Sequence, residues 1–522
     1  MAPVEFAIDF AADVLVLGGG PAGAWAALAA ARAGASVALA DKGRLGTSGA
    51  TAAVNTAVVH VAPRSEERRQ VIERRVDRGL GLARAETIDA VLDEAWHGLL
   101  QLPEWGYAFP RDDDGEIYRG TLRGPDYMQI LRRRLHKAGV KILDHSPAVA
   151  LLRDNEGVAG GWGYQRVAAK PWRIQAGAVV IATGGCAFQS KALGTYGLTG
   201  DGLLMAGELG AVLSGMEFSG QYGISHVSAT VTKNLIYCWA TFSDQAGNPL
   251  EGGDAFELLA RNLPNGPVYA LIDKATPSIR EGLRRGQPNI FLALDRQGID
   301  PFTQRFPVTL RYEGTVRGVG GLLIDSQAAT TVPGLFAAGD AASREALVGA
   351  TSGGGGPNST WAIASGSWAG RAAAAFARQP GRAGLQRLAP GVAEADLPIL
   401  DENEHRESLT AIQGELFPVE RNFTRSGPGM RRSLEILDAV WRRTAEVRRQ
   451  RPPADQVLGA LRGRELAAMA ATARWIYASA LARTETRGIH RRRDYAATAA
   501  GQARSLYVSG LDTIAVTAEA KQ

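Results

Sequence analysis

The sequence predicts an α/β protein whose main domain is built on a parallel sheet, with an inserted α+β domain and a helical C-terminal domain. The first observation is a β-α-β unit, in which residues 13–17 (DVLVL) and 36–40 (SVALA) are apolar strands around an Ala-rich helix at 21–33. The second is the region 222–310, where strands mix with Pro and Gly turns without β-α alternation. The third is a charged, helical pattern after Pro390.

Apolar spacing predicts the remaining elements. Helices are expected at residues 86–103, 124–138, 358–377, 429–447, 455–463 and 464–483. Strands are expected at residues 140–152 and 178–182, and parallel-sheet signals return at 320–337. We therefore divide the chain into residues 1–221 and 311–389 for the two parts of the main domain, 222–310 for the insertion and 390–522 for the helical domain.

Composition excludes several functional classes. The chain has 522 residues, a formal net charge of +5 and no interleaving of basic and aromatic residues, so nucleic acid is not an expected partner. Arg-rich stretches such as 132–134, 442–449 and 483–493 are interpreted as solvated faces, with a docking surface for an acidic redox partner as the alternative.

The cysteine count and the hydropathy indicate the class of site and the compartment. Only Cys186 and Cys238 are present, without a CxxC pair, so we expect no metal site, and an iron–sulfur cluster must come from another protein. No apolar run of about 18 residues predicts a membrane span, and the N-terminus has no secretory pattern. A cytoplasmic location is the expectation.

A glycine-rich loop follows the first strand. Gly18, Gly20 and Gly23 form a G-x-G-x-x-G pattern between a strand and a helix, which indicates a Rossmann-like dinucleotide site. The first glycine allows the turn, the second lets the backbone approach a diphosphate, and the third lets helix and strand pack closely. Pro21 and Ala22 begin the helix, whose free N–H groups attract negative charge.

Asp41 ends the second strand, where a carboxylate can accept hydrogen bonds from a ribose and would repel a 2′-phosphate. Two distant segments then favour FAD, because an extended dinucleotide needs contacts from far along the chain. One is 331–340 (TVPGLFAAGD), in which Asp340 can hold the ribityl hydroxyls, and the other is 181–185 (IATGG). Both lie at strand ends, where nucleotides bind to parallel sheets.

At these residues the chain resembles the fumarate reductase/succinate dehydrogenase flavoprotein superfamily, which includes L-aspartate oxidase and the adenylylsulfate reductase alpha subunit. The resemblance covers nearly the whole chain and rests on VLGGGPAGAWAAL, TSGATAAVNTA, IATGG, TGDGLLMAGELGA, PGLFAAGD, NST before a helix, and ARTETRGIHRRRDY. It implies a flavoprotein oxidoreductase that binds FAD.

The resemblance also implies how the cofactor is held. The histidine that carries a covalent flavin in some members is replaced by Ser48, so FAD is expected to bind noncovalently. The helix that starts at Ser359 and Thr360 is expected to face the N1–C2=O edge of the flavin. The expected cofactor contacts are Gly18, Gly20, Pro21, Ala22, Gly23, Asp41, Lys42, Ser48, Gly49, Thr51, Ala148, Ala182, Thr183, Gly184, Asp201, Gly339, Asp340, Ser359 and Thr360.

The substrate-binding half of the family pattern is largely absent. Gly354 stands where dicarboxylate members have an Arg before the Asn-Ser helix start, and the His-x-x-Met-Gly-Gly segment reads 315–321 without histidine. The Arg-Gly-Glu-Gly-Gly motif has no counterpart between 226 and 260. Two carboxylates need two cationic or donor clamps, so succinate, fumarate and aspartate are not the expected substrates.

Arg317, His226 and Tyr222 are the candidate catalytic residues, because their segments are expected to border the isoalloxazine. Arg317 can clamp an anion and His226 can relay a proton, whereas a structural role is the alternative for all three. His60 and His490 are interpreted as structural. Four glycines at 353–356 can admit a bulky substrate, form a mobile lid or simply be a flexible loop.

Three functions remain open from the sequence. The first is an FAD-dependent oxidoreductase that transfers hydride to or from a small organic substrate, with a ferredoxin-like iron–sulfur partner or another acceptor. The second is an adenylylsulfate-reductase-like subunit that acts on an oxidised sulfur compound. The third is an electron-transfer or assembly subunit without a substrate of its own.

Overall fold

A seven-stranded mixed sheet forms the centre of the computed structural model, which describes residues 6–520 except 113, 233, 353, 381–396, 447, 450, 451 and 453. The strands are β1 Ile8–Leu17, β2 Val37–Ala40, β3 Asn55–Ala57, β4 Thr121–Arg123, β5 Lys141–Leu143, β6 Ala148–Asp154, β7 Gly157–Gln165, β8 Lys170–Ile181, β9 Leu213–Ser214, β10 Tyr222–His226, β11 Thr241–Ser243, β12 Val268–Leu271, β13 Phe306–Tyr312, β14 Gly321–Leu322, β15 Leu335–Ala337, β16 Leu397–Pro398, β17 Arg448–Arg449, β18 Leu506–Ser509 and β19 Ala515–Ala518.

The α-helices follow the same chain order. They are α1 Pro21–Arg32, α2 Glu66–Arg78, α3 Ala85–Gln101, α4 Gly124–Lys137, α5 Asp201–Glu208, α6 Ala255–Asn262, α7 Pro277–Gly286, α8 Pro288–Asp295, α9 Gly314–Arg317, α10 Glu345–Val348, α11 Gly355–Ala377, α12 Glu402–Leu416, α13 Val419–Asn422, α14 Gly427–Glu446 and α15 Val457–Ala482.

The parallel part of the central sheet confirms the predicted α/β class. Strands β5, β2, β1 and β8 lie side by side, and β15 adds parallel to the end of β8. The predicted β-α-β unit is β1, α1 and β2, and Val14–Leu17 and β2 are buried because both sheet faces are covered. Strands β6 and β7 extend the sheet in the antiparallel sense beyond β8.

Small residues let α1 and α11 approach closely over one face of this sheet. A Cβ on Gly366 would lie 2.4 Å from the carbonyl oxygen of Ala22, and one on Gly370 would lie 2.1 Å from that of Ala26. Larger side chains at either position would push the helices apart. The middle of α11 is thereby packed against the first two turns of α1.

The region predicted as an insertion contains a separate antiparallel sheet in the order β10–β13–β12–β11. Its own apolar core includes Ile224, Phe242, Val268 and Phe306. This inserted region contacts the main domain at the loop after β2, where Asn289 Nδ2 donates to the Ala53 carbonyl at 3.2 Å. The boundaries at 221/222 and 310/311 stay a prediction, and the boundary at 389/390 lies outside the described residues.

Three sequence expectations are corrected by the fold. Residues 320–337 do not all join the parallel sheet, because β14 pairs antiparallel with β9 in a sheet that also holds β18 and β19. The two helices predicted at 455–463 and 464–483 are one continuous helix, α15. Helix α11 begins at Gly355, so two glycines of the 353–356 run form its first turn, while Gly353 lies outside the described residues.

The arginines of 483–493 are not all solvated, which corrects a fourth expectation. Arg483, Arg487 and Arg492 are buried and lie next to carboxylates. Arg483 Nη2 lies 2.7 Å from Glu217 Oε1 in the main domain. A buried guanidinium is tolerated when carboxylates and carbonyls occupy its donors, and here this network joins the C-terminal region to the main domain.

Candidate cofactor and substrate site

One cavity of about 410 Å³ lies where the parallel strands end, as expected for nucleotide sites in such sheets. The segments after β1, β2, β8 and β15 and the start of α11 all contribute to its wall. The predicted cofactor residues that line it are Gly18, Gly20, Pro21, Ala22, Asp41, Lys42, Ser48, Gly49, Thr51, Ala148, Ala182, Thr183, Gly184, Asp201, Gly339, Asp340 and Ser359.

The glycine loop has the geometry that each glycine was expected to need. Gly18 has φ +109°, and a Cβ there would lie 2.3 Å from the Ala182 carbonyl oxygen. Gly23 does not line the cavity, because it packs where a Cβ would lie 1.9 Å from the Gly18 oxygen. A Cβ on Gly20 would meet no protein atom within 4 Å, so the loop leaves open space in front of α1.

Asp41 and Lys42 define one end of the cavity. Asp41 is 6% exposed, and its Oδ2 accepts a hydrogen bond from Ser48 Oγ at 2.5 Å. Lys42 Nζ lies 2.8 Å from Asp201 Oδ2 and 2.9 Å from Glu465 Oε1. Burial lowers the pKa of Lys42, but the two carboxylates outweigh it, so the pKa is raised overall. The ammonium group is therefore committed to protein partners.

Asp340 lies in the cavity wall after β15. Its Oδ1 accepts from Arg344 Nη1 at 2.5 Å, and its side chain is 23% exposed. Burial raises the pKa of Asp340, and the neighbouring Arg344 opposes that shift. Asp340 Oδ2 has no hydrogen-bond partner within the part of the chain that the structure describes, so it can accept from a ligand hydroxyl.

The start of α11 forms the other end of the cavity. The Nδ2 and Oδ1 atoms of Asn358 and the hydroxyl of Thr183 are buried without a hydrogen-bond partner among the described residues. Ser359 Oγ and Thr56 Oγ1 lie 2.5 Å apart. Thr360 does not line the cavity, because it is buried and donates to the Gly356 carbonyl at 2.8 Å while accepting from the Val59 N–H. Unpartnered polar atoms on a cavity wall indicate a polar ligand.

These features together fit FAD. The open space at Gly20, the free N–H groups of α1 and the acceptor Asp41 suit the ADP half of a dinucleotide. Asp340 and the unpartnered atoms of Thr183 and Asn358 are available to the rest of an extended cofactor. The assignment of each residue to a cofactor atom stays a prediction.

Only one of the three candidate catalytic residues lines the cavity. Arg317 ends α9, is 22% exposed in its side chain, and has its Nε 3.9 Å from Glu313 Oε1. Tyr222 is buried elsewhere and donates its hydroxyl hydrogen to the Leu416 carbonyl at 3.0 Å. His226 pairs with Ser228, and burial lowers its pKa. The geometry therefore gives Tyr222 and His226 packing partners rather than a place on the cavity wall.

The other histidines that the sequence singled out have structural surroundings. His60 stacks on Trp96 with ring centroids 4.2 Å apart, and burial followed by the charge of Arg119 lowers its pKa to about 4. His490 is fully buried between Arg425 Nη1 at 3.0 Å and the Arg483 carbonyl at 3.2 Å. Neither residue lines the cavity.

Sequence reasoning missed several residues of this site. Tyr196 lines the cavity although no motif includes it, and Glu465 reaches Lys42 from α15. Arg344 lies behind the wall, where its guanidinium contacts Asp340. The only sequence signal for Arg344 was its position four residues after Asp340, which is not specific enough to identify a contact.

Known families match both ends of the chain. The FAD binding domain family matches residues 13–222, and the C-terminal family of fumarate reductase flavoproteins matches residues 419–507. The L-aspartate oxidase of Mycobacterium leprae is 29% identical over 95% of both chains. The chain thus carries an FAD binding domain and a fumarate reductase flavoprotein C-terminal domain, and it is homologous to L-aspartate oxidase and to the fumarate reductase flavoprotein. This flavoprotein is accordingly an FAD-dependent oxidoreductase, as the sequence predicted.

Further relatives share this likeness. The fumarate reductase flavoprotein subunit of Mycobacterium tuberculosis is 26% identical over 80% of this chain and 81% of its own length. Among solved structures, the flavoprotein shares its fold with the FrdA chain of E. coli quinol fumarate reductase, with a TM-score of 0.82, 22% identity and coverage of 98% and 97%. An adenosine-5-phosphosulfate reductase has a TM-score of 0.77 at 18% identity, with 99% and 98% covered.

The described residues offer neither a membrane-spanning helix nor a cluster of metal ligands. Within the described ranges, no helix is long and apolar enough to cross a membrane. No group of three or more His, Cys, Asp or Glu side chains that could hold a metal ion occurs in the same ranges. Cys186 is buried and Cys238 is exposed, and both thiols are free.

Proposed function

We propose that this flavoprotein transfers hydride between noncovalently bound FAD and a small organic substrate with one anionic group, which Arg317 holds. The noncovalent state is supported by Ser48 at the position of the linking histidine and by the absence of histidine from the described residues of the cavity wall. FAD, when bound, supplies the two-electron chemistry. The protein residues orient the substrate and stabilise charge.

The observation that carries this proposal is the charge of the cavity wall. Its described cations are Lys42, Arg166 and Arg317. Lys42 is committed to two carboxylates. Arg166 is an exposed residue directly after β7, and its backbone N–H donates to the His145 carbonyl, just before β6. Arg317 lies beside the α11 start, because its carbonyl accepts from Ser352 Oγ at 2.8 Å. Among the described residues of the cavity wall, Arg317 is the guanidinium beside the α11 start, and one guanidinium there suits one carboxylate or a similar anion, whereas a dicarboxylate needs a second clamp.

Arg317 and the α11 start can act together on such a substrate. The nearest carboxylate, Glu313, is 3.9 Å away at the closest ion-pair atoms, so the guanidinium of Arg317 retains donors for an anion. The amide of Asn358 and the N–H groups of the first α11 turn add donors on the same side. Positive potential there also favours the anionic reduced flavin.

The first test is anaerobic bleaching of the purified flavoprotein with matched substrates. Succinate is compared with its monoamide, succinamate, and with other monocarboxylates that carry an oxidisable C–H bond. We expect bleaching by a monoanion and none by succinate at equal concentration. Bleaching by succinate alone would contradict the proposal, and a flavin that no compound bleaches would favour a subunit without its own substrate.

Substitution of Arg317 tests its role in binding. Arg317→Gln should raise KM for the bleaching substrate by about tenfold or more, because a charged hydrogen bond is lost, and Arg317→Lys should restore part of it. Steady-state kinetics with the active compound measures both variants. An unchanged KM in Arg317→Gln would remove Arg317 from the site.

Oxidation of an amino acid is a second candidate, favoured by the full-length similarity to L-aspartate oxidase. It predicts ammonia and hydrogen peroxide from an L-amino acid and oxygen. For the electron acceptor we propose an iron–sulfur protein, because the two cysteines of this sequence are too few to ligate a cluster. Bleaching by sulfite together with binding of such a partner would instead favour an oxidised sulfur compound as substrate.

A further inference from the structure

Arg344 is a fully buried arginine whose guanidinium donates to Asp340 and to backbone carbonyls in and just after α9. Nη1 donates to Asp340 Oδ1 at 2.5 Å, and Nε donates to the Gly318 carbonyl at 3.0 Å. Nη2 lies 2.9 Å from the Thr315 carbonyl, 3.0 Å from that of Val316 and 2.6 Å from that of Gly318. The side chain itself is 0% exposed and does not line the cavity.

The carbonyl contacts hold the segment that carries Arg317. Helix α9 has only four residues, so it has too few internal hydrogen bonds to fix its own last carbonyls. A guanidinium at its C-terminal end satisfies these carbonyls and complements their partial negative charge. The backbone from which the Arg317 side chain enters the cavity is therefore set by Arg344.

The carboxylate contact holds Asp340. Asp340 lines the cavity, one of its oxygens is bonded to Arg344, and the other has no hydrogen-bond partner among the residues the structure describes. This arrangement fixes the carboxylate plane and leaves a single acceptor for a ligand hydroxyl. Without that cation, the partly buried carboxylate of Asp340 would lose its ion-pair partner, which is costly.

We propose that Arg344 is a positioning residue that couples the two halves of the site: it fixes Asp340 for FAD and the α9 backbone for Arg317. The Asp340 half rests on the FAD cavity alone, and the Arg317 half rests also on the function proposed above. Arg344 touches neither ligand in this arrangement. Loss of the Arg344 guanidinium is nevertheless expected to weaken the binding of both FAD and the substrate.

Arg344→Lys is the informative substitution. Lysine keeps the charge but has three donors on one point, and it cannot cover three carbonyls and a carboxylate at once. We expect FAD to bind the apoprotein about tenfold more weakly, as measured by quenching of flavin fluorescence on titration. The midpoint potential of bound flavin should become more negative, because a displaced Arg317 would stabilise the anionic reduced flavin less. Arg317→Gln should shift the potential in the same direction for the same reason.

Arg474→Lys is the matched control. Arg474 is also buried, and it donates to Asp438 Oδ1 and the Leu511 carbonyl, both at 2.5 Å, far along the chain from the cavity wall. Both lysine variants should lose thermal stability, but only Arg344→Lys should change FAD affinity and potential. Equal FAD affinity and potential in the two variants would overturn the proposal.

A double variant separates coupling from general damage. If Arg344 acts on FAD through Asp340, Arg344→Lys combined with Asp340→Asn should weaken FAD binding no more than the stronger single change. Additive losses would overturn the Asp340 half. These measurements need no substrate, so they stand even if the bleaching experiments reject the proposed function, in which case only the Arg317 half falls.

Discussion

Tyr196 lies on the cofactor cavity wall with 66% of its surface exposed, which is unusual for an aromatic ring beside a ligand site. Gly194, also in the wall, lies in the same loop, and a Cβ there would lie 3.0 Å from Ala50 Cα, so this loop packs on residues 49–50. FAD, when bound, would offer the exposed ring a planar partner. We infer that Tyr196 covers part of bound FAD.

Removal of the Tyr196 ring should weaken FAD binding. Tyr196→Ala is expected to weaken FAD binding by about three- to tenfold, because a stacked aromatic contact is lost, while Tyr196→Phe should bind like the native chain. Titration of each apoprotein with FAD measures the difference. If Tyr196→Phe loses as much affinity as Tyr196→Ala, the hydroxyl and not the ring makes the contact.

At the scale of elements, the β1–α1 junction separates a packing function from a binding function. Gly23 is required because helix and loop touch, with a Cβ 1.9 Å from the Gly18 oxygen, whereas Gly20 faces open space. The two glycines belong to the same sequence pattern. Their roles differ because Gly23 packs against the backbone of the loop, whereas Gly20 has no protein atom within 4 Å of where its Cβ would lie.

This difference predicts two distinct outcomes for alanine. Gly23→Ala should lower the free energy of unfolding of the apoprotein by roughly 1–3 kcal/mol, as overpacked sites do. Gly20→Ala should cost less than about 1 kcal/mol but weaken FAD binding, because its methyl group would occupy cofactor space. Denaturant unfolding and FAD titration of both variants decide. A large loss of apoprotein stability in Gly20→Ala would contradict the assignment.

At the scale of the whole molecule, a buried ionic network ties the C-terminal region to the main domain. Arg483 on the C-terminal side contacts Glu217 Oε1 and Glu485 Oε1. Glu345, on α10, is buried nearby and its oxygens have no hydrogen-bond partner in the described ranges. Burial, then the charge of Glu217, raises the pKa of Glu345 to about 8, with Arg483 opposing the shift.

Stability should therefore depend on pH through Glu345. Its pKa is higher in the folded chain than in the unfolded chain, so the folded state binds an extra proton, and that stabilisation is lost as pH rises towards about 8. Glu345→Gln should be more stable than the native chain at pH 9, by up to a few kcal/mol, and this advantage should be smaller at pH 6, because the unfolded carboxyl ionises from its ordinary pKa upward. Thermal unfolding at both values measures this.

The matched control is Glu73→Gln on exposed helix α2. It should show the same dependence on pH as the native chain. A Glu345→Gln variant whose stability relative to the native chain is the same at pH 6 and pH 9 would contradict the raised pKa.

Much of the fold and the cofactor wall was predictable because it depends on local sequence. The strand, glycine loop, helix and terminal Asp41 are contiguous, and seventeen of the predicted contacts line one cavity. The continuity of α15 was missed, since two helices were expected at 455–463 and 464–483, and in the structure Gly463 lies inside α15 where a Cβ would lie 2.0 Å from the Pro398 oxygen. Close packing, and not helix propensity, selected that glycine.

The sequence by itself indicated a dinucleotide site from a contiguous local pattern and favoured FAD from two further segments at strand ends, whereas the missing dicarboxylate clamps are an expectation that rests on the family resemblance. Only the tertiary structure decided which of Arg317, Tyr222 and His226 reaches the cavity, and that Arg483, Arg487 and Arg492 are buried. The direction in which a side chain points depends on contacts between residues distant in sequence, as between Arg344 and the α9 carbonyls, and no local pattern encodes them.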